Sequence, residues 1–553
     1  MALSKEVIDR LMGTDVLSVE EIEKKYPPRM LSAEQAVTRI APSPTGFMHI
    51  GGVYAALISE RLAHQTNGVF ILRIEDTDTK REIEGATDLI IRSLGEYGLK
   101  VDEGPINEKE EIGNYGPYTQ SKRREIYRAY VKLLLEKGLA YPCFCSEEEI
   151  EAMRERQTKA GGRPGYYGLW AKDRNLSEEQ VVDKLNAGKP YVIRFKSPGK
   201  YVNKIAVEDI LRGKRFFPEN DLDIVILKSD GLPTYHFAHV VDDHLMGTTH
   251  VIRGDEWLSS LPLHVQLFEA MGWQAPKYGH IAPIQKLEDG ARRKLSKRKD
   301  PEANVAFYGE KGYPREAVID YLMNLANSDF EDYKKANPEK TYKDFDFKIS
   351  KLNNSGPLLD FVKLEDICKD FLATLSYQEL FDRLYQWAEK YDAEMKKRLD
   401  AHADYFKQIL DIERSNCDRV RKDFIAFSMI WDEIKYFFDD AFVLSKEEVL
   451  EKVPSQSLDN MKVIVKAFLE NYDENDSKED WFAKVKEMAL ANGYAKNPKE
   501  YGKNPEQYKG SVSDVATVLR VLVTGRTNSP DLCSIMKVLG KDRVVKRLSL
   551  VLD

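Results

Sequence analysis

Val37-Thr38-Arg39-Ile40-Ala41-Pro42-Ser43-Pro44-Thr45-Gly46-Phe47-Met48-His49-Ile50-Gly51-Gly52 is the stretch on which the fold turns. Its first four residues form a short β-branched run, suited to a strand. Pro42 to Gly46 is a loop by its turn residues. Ile50, Val53, Tyr54, Leu57, Ile58 and Leu62 then recur at helical spacing until Asn67-Gly68 ends the helix. Val69 to Ile74 is nearly continuous in apolar residues, as in a strand buried on both faces. Strand, loop, helix and strand in this order predict the start of an α/β, Rossmann-like, doubly wound sheet.

Working outward, a second set of such elements lies far downstream. Leu222–Leu227 reads as a strand, Asp230-Gly231 as a tight turn and Thr249–Arg253 as another strand. A helix from about Trp257 to Met271, closed by Gly272, leads to a strand at His280–Ile284. The mixed pattern between, with Gly161-Gly162 and Pro164-Gly165, suggests an inserted domain. Beyond about Asp360 the chain is rich in Lys and Glu with helical spacing, which predicts an all-α region. The expected organisation is an extension at 1–36, the sheet domain at 37–114 and 219–285, and the insert at 115–218. A region at 286–358 and a helical region at 359–553 complete it. Ser18 and Glu21 predict a capping box before a helix stopped by Pro27-Pro28, and Lys496–Lys509 reads as a loop.

At 553 residues the chain needs several cores, and 42% hydrophobic residues can fill them. No run of 18 apolar residues exists, so no membrane span is expected. Acidic residues through the first forty positions argue against secretory and organellar leaders. Five cysteines, an odd and sparse set, read as reduced thiols in a cytoplasmic protein. The net charge of −8 looks wrong for a polyanion binder, but local basic surface matters more. Arg292, Arg293 and Lys294-Leu295-Ser296-Lys297-Arg298-Lys299 supply such surface; a solvated loop is the bland alternative.

Two stretches carry chemistry. At His49-Ile50-Gly51-Gly52, two glycines let a ligand approach backbone, free N–H groups at a helix start suit an anion, and the histidine can bond a phosphate oxygen. A helix-capping histidine is the plain reading. More than two hundred residues on, Lys294 to Arg298 is a Lys-rich loop able to clamp a triphosphate and stabilise departing pyrophosphate.

Together with Pro42 to Gly46, Arg73-Ile74-Glu75-Asp76-Thr77-Asp78, Ser229-Asp230-Gly231, Pro233-Thr234-Tyr235, Val240-Val241-Asp242-Asp243 and His250 to Gly254, these motifs closely resemble class I glutamyl-tRNA synthetases of bacterial type. The likeness is strong over about 37–330 and loose beyond, with Leu519-Arg520-Val521 to Gly525 a weak match. It implies a glutamate–tRNA ligase that uses ATP with Mg2+ to make glutamyl-adenylate, then esterifies tRNA(Glu), with tRNA(Gln) left open. It implies His49, Lys294 and Lys297 as catalytic groups. Gly51, Gly52, Glu256 and Ser296 join them around ATP, with Trp257 near adenosine; an ordinary helix start is the equal alternative for Glu256 and Trp257. Arg39 should take the side-chain carboxylate, with Tyr235 closing the pocket, because a guanidinium fork accepts a carboxylate and refuses an amide. Arg253 should take the α-carboxylate, Glu75 the ammonium, and Ser43 help hold the amino acid. An ion pair between neighbouring strands is the structural alternative for Arg39 and Glu75. His239 stands where relatives often have asparagine, so its contact is open.

The resemblance also implies an acceptor-arm role for the insert, a stem-contact role for 286–358 and an anticodon role for the helical region, in a monomer. Some relatives bind zinc near Cys143-Phe144-Cys145, but Gly165-Tyr166-Tyr167-Gly168-Leu169-Trp170 offers no third thiol or histidine. No zinc is expected, since two thiolates do not close a tetrahedron. A glutaminyl enzyme, a truncated relative that modifies a tRNA base, and a silent nucleic-acid-binding descendant are the competing readings. Ala41 to Gly46, the helical region, and the presence of His49, Lys297, Arg39 and Glu75 weigh against them in turn.

Overall fold

A computed structural model describes residues 3–78 and 81–552. The chain forms two compact units, Met1–Phe307 with Ile319–Asp360, and Tyr308–Val318 with Phe361–Asp553.

The first unit is organised on a six-stranded sheet. Strand β1 (Val37–Ile40) runs parallel to β2 (Val69–Leu72) on one side and to β8 (His250–Gly254) on the other. Helix α3 (Ile50–Gln65) makes the crossover from β1 to β2. After it, Asn67 turns through φ 52°, and Gly68 passes so close to Ala36 that a Cβ would sit 1.9 Å from the Ala36 carbonyl oxygen. Strand β9 (Lys277–Ile281) lies parallel to β8 with Arg253 opposite His280. Strand β5 (Lys204–Asp209) joins β9 through Asp209 and Tyr278, and β6 (Gly213–Pro218) closes the edge antiparallel. The order is β2-β1-β8-β9-β5-β6.

A second, antiparallel sheet is made by β3 (Ala140–Cys143), β4 (Val192–Phe195) and β7 (Val225–Leu227). This corrects two expectations. The hairpin β5–β6, expected inside the insert, extends the catalytic sheet, while Val225–Leu227, expected in that sheet, completes the insert. A three-residue apolar run states that a strand is buried but not which strand it pairs with. Lys496–Lys509 is likewise not all loop: Asn497 caps a short helix, Pro498–Lys503.

The extension supplies α1 (Lys5–Met12) and α2 (Val19–Lys25), the latter with the expected Ser18–Glu21 capping box. Val7, Ile8, Leu11 and Met12 are buried in one cluster with Tyr127, Tyr130 and Leu134 of α4 (Arg124–Glu136). Arg29 grips Glu103 with both terminal nitrogens (2.8 and 2.6 Å) and gives Nε to the Met246 carbonyl at 2.7 Å. The second unit is helical from Phe361 onward and packs Leu380, Leu384, Phe406, Ile464, Val518 and Leu522 in its own core. Among the described residues no helix is long and apolar enough to cross a membrane.

Candidate active site

Helix α5 (Tyr235–Leu245) places Tyr235, His239 and Asp243 at i, i+4 and i+8, hence on one face. Asp243 accepts Arg73 Nη1 at 2.6 Å and lies 3.5 Å from Arg39 Nε. Burial alone would raise the Asp243 carboxyl; Arg73, His239 and Arg39 outweigh it and hold the group well below the usual carboxylate range. Arg73, wholly buried, also donates to Glu75 Oε1 at 2.9 Å. Burial pushes the Glu75 pKa up, against the pull of Arg73 and Arg39. A carboxylate bonded through one oxygen in a buried site favours a second cation. The next residue, Asp242, lies 3.7 Å from Arg73 Nε and takes Arg123 Nε at 2.7 Å, Gln120 at 2.9 Å and the Tyr127 hydroxyl at 2.8 Å.

His239 is fully buried, and burial pushes its pKa down to about 3, leaving the ring neutral. Its Nδ1 lies 2.9 Å from Asp243 Oδ2, and its Nε2 is 3.0 Å from the Tyr278 hydroxyl. Arg39 Nη2 lies 3.3 Å from the same Nδ1. The buried Arg39 Nε has no hydrogen bond among the described residues. Arg39 is thus a loosely paired cation. Tyr235 lies almost parallel to His239 (centroids 5.9 Å apart) and 4.3 Å from the Trp257 ring. Burial raises the Tyr235 hydroxyl pKa, with Glu75, Arg253, Arg39 and Asp243 also acting on it. Arg253 comes from β8 and is buried. Ser43 is exposed on the loop after β1; its carbonyl accepts the Thr45 N–H, and among the described residues no hydrogen bond engages its hydroxyl.

His49 is the N-cap of α3. Its Nδ1 accepts the Gly51 N–H at 2.9 Å, while its carbonyl accepts from Gly52 and Val53. The expected free N–H groups are therefore partly used, and Gly51 is needed for the ring itself, since a Cβ there would sit 3.0 Å from Nδ1. Burial first, then Lys297 and Lys294, pushes His49 down to about 4. The ring is neutral at pH 7, with its hydrogen on Nε2. The two distant stretches do meet: Lys297 Nζ is 3.4 Å from the Phe47 carbonyl and 5.3 Å from its ring centre, and Asn304 bridges His49. Lys294 contacts Glu256 at 3.4 Å. The loop is anchored by Asp300, which accepts Ser296 N–H (2.8 Å), Arg293 (2.6 and 2.7 Å) and Lys286 (3.1 Å). Arg293 is thus structural, whereas Lys294, Lys297, Arg298 and Lys299 stay exposed.

The reading from sequence quoted Arg73 and Asp243 in its motifs but gave them no role, and it missed Asp300. An arginine in an apolar run and two aspartates inside an apolar helix were the available signals. It also missed a third donor in the insert. Asp173 lies with Cys143 and Cys145, their ligand atoms within 4.8 Å of one another. The Tyr166 hydroxyl sits 3.4 Å from both sulfurs, and Asp173 Oδ2 already accepts the Phe144 N–H at 2.7 Å. Three donors are one short of a closed tetrahedral site, so the set fits a structural zinc poorly.

A family model described as "tRNA synthetases class I (E and Q), catalytic domain" matches residues 35–356. The chain belongs to the class I tRNA synthetases of the E and Q type. An anticodon-binding-domain model matches 505–552 of this synthetase. It is similar to a glutamate–tRNA ligase of Clostridium perfringens (48% identity, 95% of this chain and 96% of the relative). It is also similar to one of Acetivibrio thermocellus (48%, 99% and 100%). Among solved structures it resembles a glutamate tRNA ligase from Elizabethkingia meningosepticum in complex with its amino acid. That likeness has a TM-score of 0.74 at 30% identity and covers 94% and 99% of the two chains.

Proposed function

We propose that this synthetase is a glutamate–tRNA ligase working with ATP and Mg2+ in the cytoplasm as a monomer. The observation that carries the reading is that Arg39, Arg253 and Glu75 are all buried around Tyr235, with Arg39 only 3.5 Å from one carboxylate, Asp243, and Arg253 held by two neutral histidines. Glutamate has two carboxylates and one ammonium; the pocket has the complementary charges. Arg39 takes the side-chain carboxylate, and glutamine would turn an NH2 group against the same guanidinium. Glu75 takes the ammonium, Arg253 the α-carboxylate, and Tyr235 covers them, with Ser43 and His239 at the margin.

The α-carboxylate, already ionised, attacks the α-phosphorus of ATP; the α–β phosphoanhydride bond breaks and pyrophosphate leaves. Neutral His49 donates Nε2–H to a phosphate oxygen, and Lys294 and Lys297 stabilise the charge that moves onto pyrophosphate. Gly51, Gly52, Ser296 and Glu256 line the nucleotide. The terminal 2′-hydroxyl of tRNA then attacks the mixed anhydride and releases AMP. The insert approaches the acceptor arm, 286–358 the stem and the helical region the anticodon, by stacking and arginine contacts.

Radiolabelled glutamate should be incorporated into tRNA(Glu) by the purified chain, and ATP–pyrophosphate exchange should depend on that tRNA. No attachment of label to cognate tRNA would end the proposal. Parallel charging of tRNA(Gln) decides how widely it acts. Metal analysis should find zinc well below one equivalent; a full equivalent would overturn the metal-free reading of Cys143 and Cys145.

A further inference from the structure

Arg253 is surrounded in an unusual way. Its Nε donates to His280 Nε2 at 2.9 Å, Nη1 approaches His264 Nδ1 at 3.1 Å, and Nη2 reaches the Trp257 carbonyl at 3.4 Å. The parallel register of β8 and β9 sets His280 directly opposite it, and the Tyr278 ring lies 4.8 Å from the guanidinium carbon. Arg253, His264 and His280 are all buried. Among the described residues no carboxylate pairs with Arg253, whereas Arg73 pairs with Glu75, Asp242 and Asp243.

A guanidinium only donates, so each imidazole nitrogen facing it must carry a lone pair, and the proton positions of the chain follow. His280 holds its hydrogen on Nδ1 and gives it to Asp209 Oδ2 at 2.6 Å. Asp209 is fixed in turn by the Leu211 and Arg212 amides, at 2.9 Å each. His264 holds its hydrogen on Nε2 and gives it to His236 Nδ1 at 2.9 Å. Burial lowers all three histidines, His236 to about 4, which keeps them neutral at pH 7.

We infer that His264 and His280 are positioning residues for the α-carboxylate of the amino acid: they aim the Arg253 guanidinium and, being neutral acceptors, leave its charge for the substrate. A carboxylate at either place would orient the arginine equally well but would compete with the substrate as its counter-ion. This rests on the glutamate reading above.

The test separates shape from charge. His264→Asn keeps an acceptor near Nδ1, and His264→Asp adds a charge to the same outline. With tRNA present, His264→Asn should keep KM for glutamate within about threefold, and His264→Asp should raise it about tenfold or more, the order of one competing ionic contact. KM for ATP should stay unchanged in both. Inhibition by 4-aminobutyrate, which is glutamate without its α-carboxylate, should be equal in unsubstituted protein and both variants. The inference is overturned by equal glutamate KM in the Asn and Asp variants, or by a loss of 4-aminobutyrate inhibition as large as the loss for glutamate. If the His264 variants do not fold, His280→Gln and His280→Glu repeat the comparison at the other acceptor. An unsubstituted protein that showed no saturation by glutamate would overturn the functional reading as well; saturation with indifferent variants overturns this inference alone.

Discussion

Lys297 and Arg39 make the plainest demands at the residue scale. Lys297 contributes a charge that no neighbouring group duplicates in position. Lys297→Ala should cut turnover roughly a hundredfold or more, as loss of an oxyanion-type contact does; steady-state charging at saturating substrates measures it, and near-normal turnover would remove the assignment. Arg39→Ala should raise the glutamate KM steeply with a smaller effect on ATP; unchanged glutamate saturation would mean another cation reads the side chain. His49, Lys297, Arg39, Glu75, Tyr235 and Arg253 were legible in the sequence because their types and order repeat a known pattern. Arg73 and Asp243 were not, because pairing across 170 positions leaves no local trace. His264 and His280 were illegible for another reason: a lone histidine among apolar neighbours ordinarily reads as core.

The element scale shows what the extension does. Residues 1–36 had no function derivable from sequence, since two amphipathic helices do not name the surface they cover. In the fold they strap the insert to the sheet domain: Tyr191 donates to the Leu11 carbonyl at 2.7 Å, Tyr130 to Glu23 at 2.7 Å, and Arg29 holds Glu103 and the Met246 carbonyl. The Arg29 and Glu103 side chains are 10% and 12% exposed, so Arg29→Ala leaves a nearly buried carboxylate without its counter-ion, held only by the Tyr118 hydroxyl. It should cost about 3 kcal/mol of stability, read as a lower denaturation midpoint with an unchanged slope; a shift within experimental scatter would make the strap decorative. The first strand–loop–helix–strand unit was readable because helical and strand periodicities are local. The exchange of β5–β6 and β7 between the sheets was not, because pairing is a tertiary choice.

For the whole molecule, pH gives the cleanest test of a contact at the back of the sheet. His64 lies 2.8 Å from Asp102 and 2.9 Å from Glu60, and these bonds, Asp102 first, raise its pKa to about 9. A raised histidine stabilises the fold fully below its ordinary value near 6.5, and that contribution fades as pH rises toward 9. The melting temperature of the unsubstituted protein should therefore lose a component between pH 6.5 and 9 that His64→Gln lacks. Identical slopes in the two proteins would show that the ring gains no charge-dependent stability. At this scale the net charge of −8 misled least where it was set aside, since Lys294, Lys297, Arg298 and Lys299 are exposed together on one loop.

Asp242 and Asp243 are chain neighbours that share Arg73, at 3.7 and 2.6 Å, while Asp242 is also held by Gln120, Arg123 and Tyr127. Pulling the Gln120–Tyr127 segment away from helix α5 therefore severs a buried ion pair, at a cost of about 3–5 kcal/mol. Through Arg73 the two regions thus melt together rather than one at a time.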